Sequence, residues 1–167
     1  MNTPITAGGL AVGIAILVWY GLRWWQSQKT QKTKDWRSLT PFGSGIALGI
    51  LAAACTGGLL GTVSGWVRGA SNGVGDKALA GATGAGGQAI GASTFPALSV
   101  GGALIAVGAF VALFALWKKI KEDRHKPIIF GAVCGSTLGT SAGAAGTLAL
   151  AVIPLVNSVG DSILGVI

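Results

Sequence analysis

Four stretches of this chain, residues 5–22, 42–67, 97–117 and 128–153, contain no charged side chain. A helix rises ~1.5 Å per residue and the hydrocarbon core of a bilayer is ~30 Å thick, so each stretch is about long enough to cross one. Backbone N–H and C=O groups in lipid must be satisfied within the segment, which makes helices the expected form of separate spans this long. The expectation is an all-α, integral membrane four-helix bundle, a single membrane domain over residues 1–167. Composition agrees: charged residues are 10% of the chain, where a soluble domain carries about a quarter, and the mean hydropathy is +0.67.

The charges that exist are clustered. Residues 23–41 hold Arg23, Lys29, Lys32, Lys34 and Arg37 against Asp35. Residues 118–127 hold Lys118, Lys119, Lys121, Arg124 and Lys126 against Glu122 and Asp123. The glycine-rich connection 68–96 has only Arg68, Asp76 and Lys77. With four spans the two basic loops share a side, and the bias of Lys and Arg towards the cytoplasm makes that side the inner one. The expected topology is therefore N-out/C-out, multi-pass in the cell membrane, with 68–96 outside. Tryptophan and tyrosine prefer the membrane interface. Trp19, Tyr20, Trp24 and Trp25 fall at the inner end of the first span, Trp66 at the outer end of the second and Trp117 at the inner end of the third. The first stretch is expected to remain in the mature chain, because no cation precedes it and Arg23-Trp24-Trp25 follows it in place of a small-residue cleavage site.

Small residues four apart let helix backbones approach closely where hydrophobic association is absent. Gly9 and Gly13, Gly45 and Gly49, then Gly57, Gly61 and Gly65, and finally Gly131, Gly135, Gly139 and Gly143 form such ladders. They serve either packing within one chain or packing between copies. The length of the last ladder favours a homo-oligomer. Thr137, Thr140, Ser141 and Thr147 either line a polar path or bond the preceding turn of their own helix, the commoner arrangement.

Catalytic chemistry has few candidates here. No Asp, Glu, Lys or Arg lies within the four stretches, no paired carboxylates occur, and the one histidine, His125, sits in a basic loop. It is expected to be a solvated loop residue. Cys55 and Cys134 read as small packing residues at different depths. Gly84-Ala85-Gly86-Gly87 lacks the Gly-Lys-Ser/Thr continuation of a phosphate loop. Cys55 lies too far into the chain for a lipoprotein signal. No enzyme, cofactor or metal site is expected.

What remains is the cationic inner face. Its ten Lys and Arg either set topology and touch anionic lipid headgroups, or hold nucleic-acid phosphates without reading sequence. Small size, abundant Gly and Ala, four spans, the basic turn 118–127 and the glycine ladders together resemble the spread proteins of actinobacterial conjugative plasmids. That resemblance implies a non-enzymatic membrane protein that self-associates or joins an assembly in plasmid DNA transfer. Its partners would be lipids, itself, DNA and a DNA translocase on the cytoplasmic side. Residues 97–153 also resemble the helical hairpin of conjugative pilins, two apolar helices joined by a short basic loop. A holin-like pore former is the third reading, although the uncharged end Ser162-Ile163-Leu164-Gly165-Val166-Ile167 differs from a holin's charged tail.

Overall fold

The computed structural model describes residues 4–29, 36–55, 57–85, 87–91, 97–141 and 146–165. They form six helices: α1 (Ala7–Lys29), α2 (Thr40–Ala54), α3 (Gly58–Thr83), α4 (Val100–Leu116), α5 (Glu122–Leu138) and α6 (Thr147–Leu164). Short 3-10 turns at Trp36–Leu39 and Trp117–Lys119 close the first basic loop and open the second. No strand occurs among the described residues; Thr6 and Ala89 form an isolated bridge. The fold is all-α. Three helices, Ala7–Lys29, Val100–Lys119 and Thr147–Leu164, have the length and apolarity to cross a membrane, and the bent pair α2–α3 makes a fourth if taken as one span.

Two of the four uncharged stretches are therefore not continuous helices. The 42–67 stretch divides after Ala54, and its halves are bent by 109°. Cys55 turns extended (φ −70°, ψ 112°), and Gly58 takes φ +71°, a left-handed conformation that costs glycine least. The expected Gly57–Gly61–Gly65 ladder is thus interrupted: its first member sits in the break. The 128–153 stretch divides between Leu138 and Thr147. Nor does the helical run stop at 153, since α6 continues through Pro154 to Leu164. Much of the 68–96 connection is also helical, α3 ending only where Gly84 (φ +73°) caps it and donates its N–H to Ala80 O at 2.9 Å.

The breaks fall at corresponding points of an internal repeat. Thr6-Ala7-Gly8-Gly9 at the start of α1 matches Ser99-Val100-Gly101-Gly102 at the start of α4. Pro41, Gly45 and Gly49 of α2 match Pro127, Gly131 and Gly135 of α5. Asn72-Gly73-Val74-Gly75-Asp76 of α3 matches Asn157-Ser158-Val159-Gly160-Asp161 of α6. The packing follows this correspondence contact by contact. A Cβ on Gly45 would strike Ile128 O, and one on Gly131 would strike Phe42 O; a Cβ on Gly49 would strike Ala132 O, and one on Gly135 would strike Ile46 O. Each pair is the image of the other when the halves are exchanged. Partner numbers rise together, so α2 and α5 run parallel, and the pseudo-twofold axis lies along their seam.

The core sits on that seam. Ile50 and Ala54 of α2 pack with Ala149 and Ile153 of α6, and Phe42 clusters with Cys134 and Leu138. Cys134 is fully buried, and its thiol donates to Gly13 O at 3.4 Å, a packing role. Glycines away from the contacts behave differently: nothing lies within 4 Å of a Cβ placed on Gly21 or Gly108. Gly21→Ala and Gly108→Ala are expected to raise the thermal midpoint of the detergent-solubilised protein. Each removes a helix-interior glycine, worth up to about 1 kcal/mol. A fall in midpoint would mean that these faces are covered.

Candidate functional site: a basic end opposite a duplicated polar clamp

Parallel packing of α2 and α5 puts their amino-terminal ends side by side, and with them the two basic loops. Aromatic rings tie α1 to the same end. Tyr20 stacks on Phe42 at 4.3 Å and 5°, and Phe130 lies 6.0 Å from Trp19 and 6.4 Å from Tyr20. Trp24 meets Trp36 at 5.0 Å. Across the other loop Trp117 stacks on His125 at 4.3 Å and 7°, and His125 Nε2 lies 3.1 Å from Trp117 O. The histidine expected to be solvated is thus half-buried and closes the turn between α4 and α5.

Of the ten cations, Arg23, Lys29, Arg37, Lys118, Lys119, Lys121, Arg124 and Lys126 are described, and all eight are exposed. Lys32 and Lys34 lie outside the described residues. Arg23 places its guanidinium 5.5 Å from the centre of the Trp19 ring. Glu122 and Asp123 occupy the first turn of α5, where carboxylates complement the helix dipole. The resulting end is cationic, rimmed by aromatic rings, and built by both halves of the repeat.

The glycines expected to pack helices divide into groups. Gly45, Gly49, Gly131 and Gly135 form the α2–α5 seam; Gly9 abuts Asn72, and Gly13 abuts Thr137 and Leu138. Gly139 faces the Ile50 side chain, and Gly65 is buried within α3. Gly61 is half-buried, Gly57 has nothing within 4 Å, and Gly143 lies outside the described residues. The first two members of the longest ladder, Gly131 and Gly135, are thus spent inside one chain. The buried hydroxyls bond backwards along α5: Thr137 donates to Val133 O at 3.0 Å, Thr140 to Ser136 O at 3.1 Å and Ser141 to Leu138 O at 2.7 Å.

At the end opposite the cations lies a feature that reading the chain for spans misses. Asn72 Oδ1 accepts the Thr6 N–H at 3.1 Å while its Nδ2 donates to Pro4 O at 2.8 Å. Asn157 Oδ1 accepts the Ser99 N–H at 3.0 Å while its Nδ2 donates to Ala97 O at 3.1 Å. Asp76 Oδ1 accepts the Gly8 N–H at 3.1 Å, and Asp161 Oδ1 accepts the Ser99 hydroxyl at 2.8 Å. Thr6 and Ser99 in turn accept the N–H groups of Gly9 (3.2 Å) and Gly102 (3.0 Å). Each clamp satisfies orphan donors at a helix amino terminus and puts a carboxylate beside its positive dipole end. Gly8 against Gly75, and Gly101 against Gly160, bring the backbones close enough for it. The twice-used Asn-x-Val-Gly-Asp is the sequence signal for both sites.

Arg68 is a second surprise. Assigned by sequence to a connection, it lies inside α3 at 5% exposure between buried Ser64 and Ser71, with its Nε donating to Ser64 O at 3.4 Å. No family model, curated protein or solved structure matches the chain. Fold and site define an all-α, internally duplicated protein with apolar helices of membrane-spanning length, a cationic end and two polar clamps.

Proposed function

We propose that this chain is an integral membrane protein, N-out/C-out, whose basic end faces the cytoplasm and contacts DNA phosphates, and which acts without catalysis in a membrane assembly that moves plasmid DNA between cells. The observation that carries the reading is the convergence of eight exposed cations from both repeats on one end of the fold. An apolar exterior supports the membrane setting: Phe114 is 85% exposed, Leu59 79%, Val100 76% and Trp66 73%. Apolar surface on this scale is foreign to a soluble monomer. Parallel repeats about an axis along the membrane normal are a recurrent plan of multispan proteins, and here that plan puts two basic arms on one side. The shared clamps then lie at the outer surface.

Contact with phosphates is read from its salt dependence, because each neutralised phosphate releases counterion and steepens the fall of affinity with salt. The detergent-solubilised protein is expected to bind random duplex DNA at low salt and lose it steeply between 50 and 200 mM. Replacing Lys118, Lys119, Lys121, Arg124 and Lys126 with glutamine is expected to weaken binding at least about tenfold. The slope of log K against log salt should fall by about 2 to 4, near 0.9 per lost contact. Wild-type protein that ignores DNA at the lowest salt would leave these loops as topology signals alone.

A further inference from the structure

The two halves match at the seam and the clamps but not at one further place. In the first half α1 packs across α5: Gly13 lies against Thr137 and Leu138, and its carbonyl accepts the Cys134 thiol. The repeat relates this contact to α4 on α2. There the contact is much slighter, and a cleft of about 790 Å³ opens instead. Ala103, Val107, Phe110 and Phe114 of α4 form one wall; Cys55 and Leu59 of the α2–α3 break belong to the other. The difference is written in the sequence. The counterpart of Gly13 is Ala106, with the methyl group that Gly13 lacks. A Cβ on Gly13 would meet Thr137 and Leu138, so a helix with alanine at that position cannot settle as closely as α1 does.

We propose that this cleft holds an acyl chain of an anionic phospholipid whose phosphate sits at Lys118 and Lys119. The proposal rests on the reading of the chain as a membrane protein. From Ala103 to Ala115 the α4 wall runs about 18 Å at ~1.5 Å per residue, close to one leaflet of a ~30 Å hydrocarbon core. Its lining is almost wholly apolar, and its two ends differ. Beyond Ala115 the chain passes through Trp117 to Lys118 and Lys119, both exposed, whereas Ala97 and Leu98 at the far end carry no charge. An occupant apolar along its length and anionic at one end fits this polarity. The helices of a second copy that border a basic loop, α1, α2, α4 and α5, fit it poorly: inserted in the same membrane with the same orientation, each would bring that loop against Lys118 and Lys119, a like-charge contact.

Native mass spectrometry of detergent-purified protein, after exchange into equimolar phosphatidylglycerol and phosphatidylcholine, tests the assignment. Wild type is expected to retain phosphatidylglycerol at least fivefold over phosphatidylcholine. The Lys118→Gln/Lys119→Gln protein should lose that preference while still holding some of either lipid. Ala103→Phe, which fills the cleft, should lose both lipids, with circular dichroism checking its fold. The exposed double variant tests the proposal even if Ala103→Phe does not fold. Equal retention of both lipids by wild type would overturn the proposal. So would a dimer that Ala103→Phe splits without changing bound lipid, since a second copy would then fill the cleft. Wild type that stays dispersed without detergent and binds neither lipid would fail the membrane reading itself, a result distinct from membrane insertion without lipid selectivity.

Discussion

Gly45→Leu and Gly131→Leu are each expected to destabilise the protein by about 3 kcal/mol or more, and by nearly equal amounts. Overpacking a close contact usually costs about 1 to 3 kcal/mol when side chains can yield. Here the obstacle is backbone: a Cβ on Gly45 meets Ile128 O and one on Gly131 meets Phe42 O, so the helices themselves must separate. Separation removes the packing of Phe42 against Cys134 and Leu138 along the same seam. The equality of the two effects is the sharper part, because it follows only from the repeat. Gly43→Leu, with nothing within 4 Å, is the matched control and should stay within about 0.5 kcal/mol of wild type, as exposed substitutions usually do. Thermal or detergent titration followed by circular dichroism measures all three. A Gly131→Leu protein as stable as the Gly43→Leu control would show that the seam is not where the fold is held.

The charge-free stretches made the helical class legible, since little but a helix satisfies twenty apolar residues in lipid. Charge clustering also made the basic end legible, and the seam glycines stood in their ladders. The breaks were less so. An uncharged run says how long an apolar segment is, not which way it points, and Gly57 fits a packing ladder as well as a break. Gly58 at φ +71° settles the matter only in three dimensions. The repeat was hidden for a related reason. Its halves agree where backbone touches backbone or a side chain caps a helix, at Gly8, Gly45, Asn72 and Asp76 and their counterparts. The exterior positions between them, Phe114 against Gly21 for example, need only be apolar or small. Arg68 was misplaced because a single cation beside an apolar run reads as its end, whereas α3 continues past it to Thr83.

The clamps yield the second large effect. Asn72→Ala leaves the Thr6 N–H and Pro4 O without their partner, and Asn157→Ala does the same to the Ser99 N–H and Ala97 O. A buried orphaned backbone group costs about 1 to 3 kcal/mol; the two N–H bonds are part-buried and the two carbonyl bonds exposed, so each variant should lose about 1 to 2 kcal/mol. Asn72→Asp is expected to do no better than alanine. It keeps an acceptor for Thr6 but turns the group facing Pro4 O into a second acceptor, and adds a charge one turn from Asp76. Asp76→Asn, in contrast, keeps the Oδ1 that Gly8 uses and should cost less than about 1 kcal/mol, the loss of a charge from a helix amino terminus. The first clamp also holds the returning chain, where Ala7 donates to Gln88 O and Ile90 to Ile5 O, both at 2.9 Å. Hydrogen–deuterium exchange should therefore find residues 5–9 and 88–90 exposed together in Asn72→Ala, with Ser99 and Gly102 still protected, and the reverse in Asn157→Ala. The clamps share no residue, so the double variant should lose the sum of the single losses within about 0.5 kcal/mol. Exchange that spreads through both halves in either single variant would mean that the repeats fold as one cooperative unit and that no clamp acts alone.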